Sequence, residues 1–156
     1  MPLSVLLGLL LLLQAPAVPA PEQFFVGRTE GEAVVHVMLS GRHGVRDHSR
    51  GHMDRAGALV LNQLVEEEGK PPMRRSWRLV RSGPNRFTGT ISDARGPVTG
   101  ELAGNVLHLH YRSADGPSVE QWITLHPGGR TAHNRMVFRR FGLSVATLEG
   151  TIRRAD

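Results

Sequence analysis

From residue 33 onward apolar side chains fall on every second position, and the positions between them carry mostly Thr, Ser, Arg, Glu or His. A two-residue period sends alternate side chains to opposite faces of an extended chain, so each run predicts a strand with one buried face. In AVVHVML, Ala33, Val35, Val37 and Leu39 share a face. SGRHG at 40–44 reads as a turn, a short strand follows at 45–50, and HMDRAG turns the chain into ALVLNQLV at 58–65. After the polar EEEGKPP, the stretch MRRSWRLVR sets Arg75, Trp77 and Leu79 on one face and Arg74, Ser76, Arg78 and Val80 on the other. RFTGTISD alternates most cleanly, with Phe87, Gly89 and Ile91 inward. Val98, Gly100 and Leu102 continue that face, as do Asn105, Leu107, Leu109 and Tyr111; SVEQWITL, TAHNRMVF and SVATLEGTIRR supply the last strands.

No amphipathic helix of about ten residues or more interrupts this pattern, so the chain is all-β. Short strands at regular spacing, linked by tight turns, predict an antiparallel meander of about eight to ten strands, closed as a barrel or stacked as a sandwich. The glycines favour the barrel. Gly89 and Gly100 interrupt alternating runs, where a missing Cβ permits sharp bends and close backbone approach; Gly96 and Gly104 read as turn residues.

The N-terminus departs from this pattern. An apolar run from Leu3 to Leu13, closed by Pro16 and Pro19, has the form of an export signal and is too short for a spanning helix. Ala15-Pro16-Ala17 supplies a small-x-small cleavage site, giving a signal at 1–17 and a mature domain at 18–156, with a cut after Ala20 as the alternative. Removing 17 of 156 residues leaves 139, one domain with one core. The expected location is the bacterial periplasm. With no cysteine in the chain there is neither a disulfide nor a lipid-modified N-terminal Cys, so burial and sheet hydrogen bonds must hold the fold.

The formal charge is +5, and Lys70 is the only lysine among 19 basic residues. Outside the cytoplasm such a surface suits peripheral contact with anionic head groups better than nucleic acid, for which 5% aromatics make a poor stacking platform.

Particular residues carry a family resemblance. They are Phe24-Phe25-Val26-Gly27, Arg75-Ser76-Trp77 with Leu79, Phe87-Thr88-Gly89-Thr90 with Asp93, Gly96, Gly100, Gly104-Asn105, Tyr111, Asn134-Arg135 and Arg140-Phe141-Gly142. In that order the chain resembles a bacterial exported family, domain of unknown function thirty-eight thirty-three (DUF3833). The resemblance implies a calycin relative, a lipocalin-like barrel of the kind that holds apolar ligands, with a connection to envelope lipids. By the same analogy Phe25 closes one barrel end against a late arginine such as Arg153. Asn62, Gln63 and Gln121 stand where the family pattern suggests acids.

Candidate chemistry is sparse. His108 and His110 share a strand face, the solvent side, and local spacing supplies no third metal ligand. His43, Asp47, His48, His52 and Asp54 form a denser group, read as a loop because of Gly44 and Gly51. Ser144 lacks a nucleophile-elbow context, and the separation of Asp93, Glu101 and Glu120 is not fixed by sequence. We therefore expect no catalytic residues, no metal and no cofactor.

The informative feature is polarity on inward faces. Asn105, Gln121 and Asn134 alternate with Leu107, Ile123 and Phe138, where a polar group needs a partner. They either line a ligand cavity together with Trp77, Tyr111 and Arg75, or satisfy strand ends near a barrel mouth. Arginines at 74, 75, 78, 81, 139, 140, 153 and 154 read as a solvated face or as docking groups for an acidic head. The reading is a carrier of an apolar or amphiphilic, lipid-derived small molecule. An envelope lipid-modifying enzyme or accessory, and a structural partner with a filled core, remain alternatives.

Overall fold

A computed structural model describes residues 14–156; the apolar run assigned to the signal lies outside them. Ten strands form one closed antiparallel barrel: β1 (Gly27–Val37), β2 (Gly41–Met53), β3 (Leu59–Glu67), β4 (Met73–Gly83), β5 (Arg86–Ile91), β6 (Ala94–Ala103), β7 (Val106–Ser113), β8 (Ser118–Leu125), β9 (Thr131–Arg140) and β10 (Leu143–Arg154). Each strand pairs with its neighbours in sequence, and β1 pairs with β10 to close the cylinder. Closure leaves no bare sheet edge, which is how a chain without disulfides protects its backbone hydrogen bonds.

The predicted inward faces form the core: Val35, Leu59, Leu61, Trp77, Leu79, Phe87, Ile91, Leu107, Leu109, Ile123 and Leu148 are all buried. Three local predictions need correction. The first strand ends at Val37, and Leu39, expected on its inner face, lies in the following turn and is fully exposed. Residues 40–54 are not a turn, short strand and loop, because β2 runs unbroken from Gly41 to Met53. Gly51 sits inside it because a Cβ there would lie 1.9 Å from the Phe25 carbonyl oxygen. Gly96 has a positive φ of 78° within β6, at a register shift between Arg95 and Thr99, so it forms a bulge and not a turn. Gly89 and Gly100 do lie inside strands; a Cβ on Gly89 would fall 1.8 Å from the Arg78 carbonyl oxygen, the close approach that the alternation suggested.

One helix was not anticipated. α1 (Pro21–Phe25) is a single turn, too short to leave a 3.6-residue pattern in the sequence, and starts with proline in its first turn, where the missing N–H is no loss. It covers the barrel end formed by the start of β1 and β3 and the end of β2, burying Phe24 and Phe25 edge to face with ring centroids 5.0 Å apart. Arg154 Nη1 donates to the carbonyls of Gln23 and Phe24, each at 2.9 Å, and Arg81 donates to both oxygens of Glu22 at 2.8 and 3.1 Å. A late arginine does hold this end, but it is Arg154, and it grips the Gln23 and Phe24 carbonyls, not Phe25; Arg153 points to solvent. Alternation decides this, since Arg153 follows the inward Ile152 and so belongs to the outer face.

Candidate functional site

Halfway along the barrel the inner wall turns polar. β2 contributes Asp47, β3 Gln63, β4 Trp77, β8 Gln121 and β9 Asn134, and all five border a cavity whose remaining wall is mainly apolar, including Phe25, Leu59, Leu107, Leu109 and Ile123. The cavity volume is about 60 Å3. That is room for roughly two waters and well below the roughly 150 Å3 that admits benzene elsewhere, so in this conformation the interior is nearly filled.

Two hydrogen-bonded chains cross this layer. Trp77 Nε1 donates to Gln63 Oε1 at 2.5 Å, Gln63 Nε2 lies 3.4 Å from Asp47 Oδ2, and Ser49 Oγ donates to that same oxygen at 3.1 Å. Gly31 makes room for the carboxylate, since a Cβ there would lie 2.0 Å from Asp47 Oδ1. Burial pushes the Asp47 carboxyl above its ordinary range, against the hydrogen bond from Ser49 and the charges of His48 and Arg75. On the other side Gln121 Nε2 donates to Asn134 Oδ1 at 2.9 Å. Gln121 Oε1 is buried and accepts from no protein group among the described residues. Leaving such an acceptor unpaired costs about 1–3 kcal/mol.

The six predicted site residues therefore separate. Trp77, Gln121 and Asn134 border the cavity. Asn105 does not; it sits in the β6–β7 turn, where its Nδ2 donates to the Leu125 carbonyl at 3.0 Å and ties the turn to β8. Arg75 and Tyr111 pack toward the barrel end opposite α1. Arg75 Nε and Nη2 donate to Asp93 Oδ1 at 3.1 and 3.0 Å, Arg75 Nη2 lies 3.4 Å from the Tyr111 hydroxyl, and Tyr111 meets Trp77 edge to face at 5.7 Å. Arg75 is thus mostly buried and paired, not part of a solvated arginine face; Arg74 and Arg78 do face outward, whereas Arg81 shares the phase of Trp77 and Leu79 and closes over Phe87 and Glu22 at the capped end. Burial pushes the Tyr111 phenol up, despite Arg75 beside it.

Asp47 and Gln63 are the cavity residues that sequence reading placed elsewhere, in a loop and among the family departures. The signal was present: Val45, Asp47 and Ser49 alternate on one face, though Gly44 and Gly51 masked the strand.

On the outer wall β8 supplies the third polar group missing from the histidine pair. His108, His110 and Glu120 hold their ligand-type atoms within 4.8 Å of one another, and Trp122 stacks on His108 at 4.6 Å. This cluster is already satisfied as an ion-pair network: Glu120 accepts from His108 Nε2 at 2.9 Å and from Arg139 Nη1 at 2.5 Å. Burial is outweighed by the His108 hydrogen bond and the Arg139 charge, which together hold Glu120 below the usual carboxylate range. Asp93 meanwhile is held by Arg75, and Glu101 is exposed on the outer wall, so the three carboxylates do not converge on one site.

A closed ten-stranded antiparallel barrel, capped at one end by a helical turn and crossed by a buried polar layer, defines a calycin-like protein. The family described as "Protein of unknown function (DUF3833)" matches residues 15–154, and the chain belongs to it. No curated protein matches. Among solved structures the barrel is similar to the S-type phycobiliprotein lyase CPES from Guillardia theta, with a TM-score of 0.69 and 10% identity, covering 86% of this chain and 90% of that one. It is also similar to a protein of unknown function from the DUF3598 family of Nostoc punctiforme, with a TM-score of 0.59 and 13% identity, covering 90% of this chain but only 51% of that one. At these identities the likeness shows the fold alone.

Proposed function

We propose that the barrel binds a small, largely apolar molecule bearing one hydrogen-bond donor, a hydroxyl or an amine, and does so in the cell envelope. The observation that carries this reading is Gln121 Oε1, an acceptor buried without a partner beside an apolar-walled cavity. A ligand donor placed there removes the penalty of the empty acceptor, and Asp47 and Asn134 offer further polar contact. The tail would lie against Leu59, Leu107, Leu109 and Phe25. Because the present volume is about 60 Å3, any such ligand has to displace side chains that line the cavity. The apolar N-terminal run supports an envelope location. The lyase likeness adds a precedent for the fold, not for a ligand.

A second reading, a structural envelope protein with a filled core, is favoured by that same small volume. Native mass spectrometry of the protein isolated from its own cells separates the two. Retention of a stoichiometric small molecule that dissociates on unfolding is expected; a bare chain mass, together with no melting shift from long-chain alcohols, amines or lysophospholipids, selects the filled core.

A further inference from the structure

At the barrel end opposite α1, two hairpins next to each other around the wall present apolar side chains to solvent. Leu39 in the β1–β2 turn is 99% exposed and Phe141 in the β9–β10 turn 103%, with Met38 and Leu143 beside them at 54% and 66%. The hairpins are joined through the β1–β10 pairing and by the Met38 amide, which donates to the Val145 carbonyl at 2.9 Å. Leu39 and Phe141 have φ of 68° and 50°, and they are the only non-glycine residues with positive φ among those described. That backbone region favours Gly, Asn or Asp at a hairpin tip and is unfavourable for a branched or bulky residue. Large apolar side chains stand here without burial and against backbone preference, so folding does not account for them. Arg42 and Arg140 flank them and are exposed, while Arg139 is paired with Glu120.

We propose that these two tips form a membrane-docking edge that inserts Leu39 and Phe141 into the interface of an anionic bilayer while the flanking arginines meet phosphate groups. Charge selects this occupant over a second copy of the chain, since like-charged arginine rims repel each other whereas acidic lipid attracts them. The depth that side chains at a hairpin tip can reach suits the head-group boundary and not a span. The surface does not depend on what occupies the interior.

The test is flotation of the purified mature protein with vesicles of equal parts phosphatidylglycerol and phosphatidylcholine, and with pure phosphatidylcholine. Binding to the acidic vesicles at least tenfold tighter than to the neutral ones is expected. The double variant Leu39→Asn, Phe141→Asn should lose that binding while melting no lower than the parent, because Asn accepts the left-handed backbone. A Phe141→Trp variant should shift its added emission to the blue with acidic vesicles. Undiminished flotation of the Asn variant, equal binding to neutral vesicles, or a parent dimer that the Asn variant converts to monomer would overturn the proposal.

Discussion

The two ends of this barrel solve opposite problems with similar residues. At one end Phe24 and Phe25 turn inward, are buried, and are fixed by Arg154 and by the Glu22–Arg81 pair. At the other, Phe141 and Leu39 turn outward into water on a strained backbone. The same side-chain chemistry serves core closure where the chain buries it and implies an external partner where the chain does not. Between the ends lies the polar layer, where Gln121 keeps one acceptor free.

The largest effect expected from breaking this contrast is at the capped end. Phe24→Ala removes a side chain only 1% exposed and should destabilise by about 3–5 kcal/mol in urea unfolding. Arg154→Ala should follow at about 1–3 kcal/mol by freeing the Gln23 and Phe24 carbonyls, and should increase proteolytic cleavage near residue 20. Glu22→Gln should change stability by less than about 1 kcal/mol and lose its effect in high salt, because Arg81 is partly exposed.

The layer between the ends makes a prediction of opposite sign. Burial raises the Asp47 carboxyl in the folded state, so the native form takes up a proton at a higher pH than the unfolded chain does. Asp47 alone thus makes the protein less stable as pH rises from the unfolded value, about 3.9, through the raised folded value, and its penalty is fully present above that. Asp47→Asn should therefore melt higher than the parent at neutral pH, and the difference should shrink on acidification. Glu22, Glu67 and Glu120, all held low by their partners, lose stabilisation as pH falls, so the parent's overall profile runs the other way.

Much of the wall was legible because the two-residue period survives wherever the inner face is apolar, as in β5 and β7. It failed where inner positions are polar or lack a side chain: His43, Asp47, Ser49 and Gly51 gave β2 no hydrophobic signature, and Asp47 was misplaced with it. Gln121 and Asn134 were found by their phase within apolar strands, but their mutual bond depends on a diagonal register between β8 and β9 that no local pattern states. The same holds for Glu120 joining His108. Leu39 continued the alternation of β1, so its exposure became visible only once the turn was placed.

The central claim, that the free acceptor of Gln121 waits for a ligand donor, is tested most directly by comparing thermal unfolding of the parent and Gln121→Leu with and without a long-chain alcohol. The account predicts a variant at least as stable as the parent when alone, and an upward shift with the alcohol in the parent only. A parent that does not respond, or a variant that responds equally, would contradict it.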